Sequence, residues 1–170
     1  MQYPSSLVPN TIENIELPSG GTVQIPKVTP VFNRWSGKPI MDNYNNKLIL
    51  VYENEPVFAE LAILRILQSD KWNGVWVDTY RKAYRTSYWP KDSIQLPLEQ
   101  AKLLQSIYKK AGSDKGCWDV FCWKDELCLF VETKRKGYDK IRDTQKHWLE
   151  SAIQCGLPLT SFLVVEWSLK

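Results

Sequence analysis

Two apolar runs of strand-forming residues, Cys117–Trp123 and Leu127–Glu132, constrain the fold of this chain more than any other feature of its sequence. A short polar segment centred on Asp125-Glu126 separates them, and runs joined by so few turn-forming residues predict a β-hairpin. If Asp125-Glu126 is a two-residue loop, the pairing sets Asp119 opposite Glu132. The two carboxylates are then expected within cross-strand contact distance on one face of the hairpin.

Lys134 belongs to the same group, because alternate side chains of a strand lie on one face and Lys134 is two residues beyond Glu132. Like charges that face each other are destabilising unless something neutralises them. A divalent cation does so, and Mg²⁺ favours one or two carboxylates that leave several water ligands in place. The combination of an Asp, a Glu and a Lys suits metal-assisted attack of water on a phosphodiester. The alternative is a triad of ion-paired side chains on a solvated sheet face.

The residues after the hairpin favour the first interpretation. Glu132-Thr133-Lys134 leads into Lys136-Gly137, then into the run Asp143-Thr144-Gln145-Lys146-His147-Trp148-Leu149, and the segment closes at Gly156. This succession resembles the VRR-NUC branch of the PD-(D/E)xK nuclease superfamily. There, the Glu-x-Lys strand leads to a Gly-containing loop, and the next helix carries a Ser/Thr-x-x-Gln-x-x-Trp-Leu-like run. The close match is confined to this part of the chain, and the rest agrees with the family only in architecture.

The resemblance implies an α/β fold with a restriction-endonuclease-like core, a mixed sheet flanked by helices in the order αβββαβ. It also implies a Mg²⁺ or Mn²⁺ cofactor bound by Asp119 and Glu132, with the main-chain carbonyl of Thr133 as a further ligand. Lys134 would position the attacking water and stabilise the charge that develops at the phosphate. No organic cofactor is expected.

Two further residues are candidates for supporting roles in catalysis. The first core helix of the superfamily often supplies a glutamate that contacts metal-bound water, and Glu60 is the candidate here, with Glu53 and Glu55 as rivals. A solvated Glu60 beside Arg65 is the alternative. Gln145 lies in the family-like run and could turn towards the hairpin face to hold a water or a phosphate. Otherwise it is a solvated helix residue.

Cations near the hairpin and after the strand predicted at Gly74–Tyr80 are candidates for contact with nucleic acid. In Arg81–Trp89 they alternate with aromatic residues, which suits phosphate neutralisation combined with base stacking. An exposed edge strand kept soluble by its charges explains the same pattern. The candidate residues are Arg81, Lys82, Arg85, Arg135, Lys136, Lys140 and Lys146.

Composition divides the chain into an N-terminal arm, residues 1–45, and a nuclease domain, residues 46–170. The arm is rich in proline, which confines strands to sheet edges, so an extended segment with one small hairpin around Pro18–Gly21 is expected. Its role stays open between cover for the core, a dimer contact and a contact with nucleic acid. In the domain we expect, besides the hairpin, a strand at Lys47–Tyr52, a helix from Asn54-Glu55 to Ser69-Asp70 with Pro56 in its first turn, a strand at Gly74–Tyr80, an inserted helix at Leu98–Ala111, a helix from about Asp139 to Gln154 and a strand at Thr160–Trp167.

The overall composition excludes several other classes of protein. A chain of 170 residues can bury its own core, and a net charge of +3 permits contact with nucleic acid without requiring it. The four cysteines have neither the spacing of zinc ligands nor the pattern of a disulfide framework. Neither a signal peptide nor an apolar run of about 18 residues is recognisable. We therefore expect a cytoplasmic protein, or an intracellular one in the host if phage-encoded, that has no membrane partner.

The function predicted from the sequence is metal-dependent hydrolysis of phosphodiester bonds in DNA by an endonuclease. No additional DNA-reading domain is recognisable, which favours structure-selective cutting of flaps or junctions, or weakly sequence-selective cutting. A homodimer is expected by analogy with enzymes that cut two-fold symmetric junctions. Two other functions stay open, a non-catalytic nucleic-acid-binding or assembly subunit on the same fold and a restriction-type, sequence-specific endonuclease. The joint presence of Asp119, Glu132 and Lys134 counts against the non-catalytic subunit, because degenerate copies usually lose at least one such residue.

Overall fold

The computed structural model of the protein describes residues 3–40, 44, 46–88 and 93–170. One large, open, mixed β-sheet carries helices on both faces. Strands β1 to β10 of the described residues are, in chain order, Thr11–Glu16, Thr22–Val28, Val31–Arg34, Leu50–Tyr52, Glu55–Val57, Asn73–Asp78, Ala83–Arg85, Val120–Lys124, Leu127–Arg135 and Phe162–Leu169. The α-helices in the same part of the chain are Ala59–Ser69 (α1), Leu98–Ala111 (α2) and Asp143–Gln154 (α3), and short 3₁₀ turns lie at Ser5–Leu7 and Leu159–Ser161.

The strand order across the sheet is β5-β4-β3-β10-β9-β8-β6-β7, and β2 also pairs with β10 and carries β1 beside it. β8 is antiparallel to both β6 and β9, whereas β10 is parallel to β9. A parallel neighbour requires a crossover connection, which α3 supplies. β9 therefore has a strand on either side, and its residues from Leu129 to Lys134 are buried.

The predicted hairpin is present as β8 and β9, and its predicted register is confirmed. Phe121 pairs with Phe130, and Asp125 in the loop has a φ of 52°. Asp125 is the first of the two loop residues, and a positive φ at that position is shared by the primed turns that two-residue hairpin loops favour. One step beyond the last pair of the ladder, the same register sets Asp119 opposite Glu132.

Side chains of each strand alternate between the two faces of the sheet and so contribute to two separate cores. α1 covers one face and is buried almost all round. α2 and α3 cover the other face, where Phe121 and Phe130 stack with their ring centroids 4.3 Å apart. Trp148 of α3 packs edge-on against Phe130 at 4.9 Å between centroids. These aromatic contacts hold α3 against the hairpin.

The Pro-rich segment that the sequence predicts as an arm contributes three strands to the sheet. β1 and β2 form the hairpin expected around Pro18–Gly21, but β2 also pairs in parallel with β10, and β3 pairs with the end of β10. The expectation that proline confines these strands to edges is wrong for β2. Pro26 lies just before Lys27 and Val28, the two residues that pair with β10, so its missing N–H falls outside that ladder.

The helix predicted from Asn54-Glu55 begins only at Ala59, so its predicted start is wrong. Glu53 and Asn54 have φ values of 51° and 63° and form the turn of a hairpin in which β4 pairs with β5. Pro56 therefore lies in a strand, not in the first helical turn. The left-handed turn lets the two short strands pair, and this pairing removes residues 55–57 from the helix.

The helix predicted from about Asp139 begins at Asp143, so that start is also wrong. The N–H groups of Tyr138 and Asp139 donate to the carbonyl of Arg135, and Asp139 Oδ2 accepts a hydrogen bond from the N–H of Arg135. These bonds close a compact turn after β9, and the helix starts only beyond it. Gly156, with a φ of 96°, follows the helix end as predicted.

The other predicted elements are present. α2 has the predicted bounds and ends at the left-handed Gly112. The strand expected at Lys47–Tyr52 is limited to Leu50–Tyr52, and the strands expected at Gly74–Tyr80 and Thr160–Trp167 are β6 and β10 with slightly displaced ends. Within the described ranges, no helix has the length and apolar character needed to cross a membrane.

Gly116 lets the loop before β8 pass directly against the first turn of α3. Its φ is +85°, and a Cβ at this position would lie 2.1 Å from the carbonyl oxygen of Thr144. No side chain fits into such a gap. The glycine therefore permits the short distance between the hairpin and the helix that carries Gln145.

We expect Gly116→Ala to lower the free energy of unfolding by about 2 kcal/mol or more, because a main-chain clash adds to the strain of a left-handed alanine. Gly137→Ala is a matched control, since Gly137 also has a positive φ, +75°, but has nothing within 4 Å of an added Cβ. It should cost only about 1 kcal/mol. Urea unfolding followed by circular dichroism measures both, and equal losses would contradict the close approach of Gly116 to α3.

Candidate active site

A cavity of about 770 Å³ lies at the open end of the β8–β9 hairpin, away from its Asp125-Glu126 loop. It lies between the loop after β6 and the N-terminus of α3. All the residues that the sequence predicts as catalytic or metal-binding line this cavity. They are Glu60, Asp119, Glu132, Thr133, Lys134 and Gln145. The fold thus brings together, at one end of the sheet, side chains from α1, the hairpin and α3.

Asp119 is half-buried immediately before β8, where backbone pairing between β8 and β9 ends. Its main-chain oxygen accepts a hydrogen bond from the N–H of Val77 at 2.8 Å. Its Oδ2 accepts bonds from the N–H and the hydroxyl of Thr133 at 2.9 and 2.6 Å. Because a strand residue directs its N–H and C=O towards the same neighbour, the Thr133 carbonyl lies on the Asp119 side of β9.

Glu132 is fully buried in the centre of the sheet. Its Oε1 accepts hydrogen bonds from Lys134 Nζ at 2.5 Å and from Gln145 Nε2 at 2.6 Å, whereas its Oε2 is buried without a hydrogen-bond partner among the described residues. Burial and then the negative charge of Asp119 raise the pKa of Glu132 well above its usual value, although Lys134 and Gln145 act in the opposite direction. The hydrogen bonds from Lys134 and Gln145 therefore do not offset the cost of burying a charged Glu132 beside Asp119.

Gln145 fixes the relative orientation of the Glu132 carboxylate and the Lys134 ammonium. Its Oε1 accepts hydrogen bonds from the N–H of Arg142 at 2.9 Å and from Lys134 Nζ at 3.2 Å, which directs its Nε2 to Glu132. The bond from Arg142 satisfies one of the main-chain donors that every helix leaves free at its N-terminus. One carboxamide thus connects the start of α3 to both Lys134 and Glu132.

Glu60 is buried in the first turn of α1, and its partner is a residue that the sequence reasoning missed. Lys47 Nζ contacts Glu60 Oε1 and also lines the cavity, while Glu60 Oε2 is buried without a hydrogen-bond partner in the described part of the chain. Burial, and to a lesser degree the charge of Asp119, raise the pKa of Glu60 in spite of Lys47. Lys47 had no local signal, because its contact with Glu60 depends on the β4–β5 hairpin that lies between them in the chain.

The donor set of the cavity fits a hard divalent cation held by Asp119 and Glu132. No group of three or more Asp, Glu, His or Cys side chains among the described residues is placed to hold a metal ion, so Glu60 does not form such a group with that pair. Two carboxylates are nevertheless the complement that Mg²⁺ takes when it keeps several waters. The unpartnered Glu132 Oε2 and the Thr133 carbonyl on the same side as Asp119 add suitable oxygen donors.

The cations predicted to bind nucleic acid differ in environment, because some contact other residues of the protein and others lie near the surface. Arg85 is in the interior. Its Nε lies 3.0 Å from Oδ2 of the buried Asp78, but the orientation forms an ion pair without a directed hydrogen bond. Arg81 is half-buried, with its guanidinium 4.1 Å from the ring centroid of Tyr44. Both therefore contact the protein itself. Trp89, at the end of the predicted stretch, lies outside the described residues.

The remaining predicted cations are nearer to the surface. Lys82 is exposed at the rim of the cavity, and Lys140 and Lys146 line a second cavity of about 670 Å³ that shares Lys134 with the first. Lys136 is exposed, and the guanidinium of Arg135 lies 3.8 Å from the ring centroid of Tyr138. Lys115 is a further cation at the rim of the first cavity, which the sequence reasoning did not single out.

Comparison with known proteins identifies no relative of this chain. No protein-family model, no curated protein and no solved structure matches the chain.

The raised pKa of Glu132 predicts a pH dependence of stability in the absence of divalent ions. The folded protein holds the Glu132 proton more tightly than the unfolded chain, so the contribution to stability is present below the usual glutamate pKa and is lost as the pH rises through the raised value. Glu132→Gln removes this titration. We therefore expect the unfolding free energy of the variant to increase relative to that of the wild type as the pH rises above the usual glutamate pKa of about 4.

Urea unfolding in EDTA at several pH values measures this difference. Glu126→Gln is the control for the loss of a glutamate outside the cavity, because Glu126 is exposed in the hairpin loop. A difference between Glu132→Gln and the wild type that does not change with pH would contradict the unfavourable burial of the Glu132 charge.

Proposed function

We propose that the protein is a Mg²⁺- or Mn²⁺-dependent endonuclease that hydrolyses phosphodiester bonds in DNA. The observation that carries this proposal is the contact of Lys134 and Gln145 with the buried carboxylate of Glu132, next to Asp119, on the wall of one cavity. A purely structural ion triad on a solvated face would not be buried and would not leave a carboxylate oxygen without a partner. The arrangement is instead what a cation site at a strand end needs.

The order of elements supports a PD-(D/E)xK-like core. α1, β6, β8, β9, α3 and β10 follow one another as αβββαβ, with β7 and α2 inserted after the first strand of this series. The sheet is mixed and has helices on both faces, as the resemblance of the segment around Glu132-Thr133-Lys134 to VRR-NUC nucleases implies.

A divalent cation held by Asp119, Glu132 and the Thr133 carbonyl would supply charge neutralisation at the scissile phosphate and activation of water. The protein's own contribution is to hold Asp119 in place through the two bonds from Thr133. Lys134 places a positive charge between Glu132 and Gln145, where it can donate a hydrogen bond to the attacking water or to a phosphate oxygen. Gln145 keeps the Lys134 ammonium oriented, and Glu60 adds a further carboxylate to the lining of the cavity.

The substrate proposal rests on the rim of the cavity. Lys82, Lys115 and Arg142 lie there, and Lys140 and Lys146 lie along the adjoining cavity, whose lining also contains Glu13, Glu16, Asp139 and Glu166. Such cations neutralise phosphates without reading bases. This favours structure-selective cutting of flaps or junctions, or weakly sequence-selective cutting, and a homodimer would suit a two-fold symmetric junction.

The test is a cleavage assay with Mg²⁺ or Mn²⁺ on single-stranded, duplex, 5′-flap and four-way-junction DNA. We expect Asp119→Asn and Lys134→Gln to lower the cleavage rate at least about 100-fold, because each removes one charge from the reacting centre. The asparagine side chain can still accept the bonds from Thr133, so the fold should survive. Lys102→Gln is the control, since Lys102 is exposed on α2 and its ion pair is with Glu99, outside the cavity.

DNA binding measured by fluorescence anisotropy in EDTA separates this proposal from the alternatives. Binding of these DNAs without cutting by the wild type, with either metal, would indicate a non-catalytic binding subunit. Cutting at one fixed sequence would indicate a restriction-type enzyme. Cutting that persists in both variants would show that the Asp119–Lys134 group is not the active site.

A further inference from the structure

Lys47 is held at one place on the cavity wall. Its ammonium contacts Glu60 Oε1 and lies 5.5 Å from the ring centroid of Phe58 and 5.6 Å from that of Trp76. About a third of the side chain is exposed, 34 %, and this part lines the cavity. A carboxylate and two aromatic rings thus fix a positive charge beside the proposed reaction centre.

This charge lies within the field of the metal-binding carboxylates. Burial lowers the pKa of Lys47, but the charges of Glu60, Asp119 and Asp78 outweigh burial and raise it above its usual value. The side chain is therefore an ammonium ion at neutral pH. It neutralises Glu60, which forms no three-carboxylate metal site with Asp119 and Glu132.

The carboxylates around the cavity differ in how they are neutralised. In the described part of the chain, three of the four acids that lie deepest are ion-paired, and the carboxylate of Asp119 accepts hydrogen bonds only from the uncharged Thr133. The three ion pairs are Glu60 with Lys47, Asp78 with Arg85, and Glu132 with Lys134. Counted as ionised, which is the state that binding of a cation favours, these four acids and three bases leave one negative charge. One divalent cation and one phosphodiester would bring that set to neutrality, whereas two divalent cations would leave it positively charged.

We propose that Lys47 takes the position of a second cation, beside Glu60 and near Asp119, and thereby limits the site to a single divalent ion. This inference rests on the proposed metal-dependent function and adds the number of ions to it. The unpartnered Oε2 of Glu60 is the donor that a second ion would use, and the tethered ammonium on Oε1 keeps that ion out by charge repulsion. Lys47 is in this sense a positioning residue, which acts through Glu60.

The test is a titration with Mn²⁺ alone, in which electron paramagnetic resonance of the free aqueous ion gives the number bound per chain. We expect one ion for the wild type and two for Lys47→Gln, because the loss of the ammonium exposes Glu60 and Asp119 to a second ion. Lys47→Arg keeps the charge and should bind one, as should the exposed control Lys102→Gln. A merely structural role of Lys47 would not change the stoichiometry.

Two ions in the wild type, or one ion in both the wild type and folded Lys47→Gln, would overturn the inference and leave the metal-dependent function intact. No Mn²⁺ bound by the wild type would instead contradict the proposed metal site itself. Circular dichroism establishes which variants fold. If Lys47→Gln does not fold, the uncharged pair Lys47→Gln/Glu60→Gln replaces it. This double variant should bind one ion with an affinity within about tenfold of the wild type, and a hundredfold weaker first ion would overturn the inference.

Discussion

The burial of the Glu132 carboxylate is the constraint on which the rest of the site depends. An ionised group inside a sheet is tolerated only where donors and counter-charges surround it. Lys134 comes from the same strand, and Gln145 comes from the start of α3, so the helix has to begin at this point and approach this closely. Gly116 permits that approach, because any side chain there would meet the main chain of α3.

The proposed reaction centre lies where regular backbone pairing stops. The ladder between β8 and β9 ends just before Asp119, whose side chain accepts the hydrogen bond that a main-chain carbonyl would otherwise accept from Thr133. The main-chain oxygen of Asp119 bonds to β6 instead. The end of the β8–β9 ladder thus places a carboxylate on the wall of the cavity. This arrangement lowers the free energy of unfolding, because Glu60 and Glu132 each bury an oxygen without a hydrogen-bond partner in the described residues.

Charge around the cavity is arranged in layers. The inner cations, Lys47, Lys134 and Arg85, neutralise carboxylates of the protein itself. Cations at the rim, such as Lys82 and Lys115, are exposed where the phosphates of the proposed substrate would approach, although Lys82 also lies 3.4 Å from Asp114. A count of basic residues does not distinguish these roles, because both kinds of residue occur in the same short segments of the chain.

The sequence by itself determined the hairpin and its register, α2 to its ends, and the joint position of Asp119, Glu132 and Lys134, because strand alternation and a two-residue turn are local properties. The helix starts were predicted less well, because the competing turns at Glu53-Asn54 and around Asp139 depend on left-handed residues and side-chain bonds that periodicity does not reveal. Only the tertiary structure decided that the Pro-rich segment joins β10, that Arg85 is internal and that Lys47 meets Glu60. Each of these contacts joins segments whose approach depends on how the whole sheet is assembled, which no local pattern encodes.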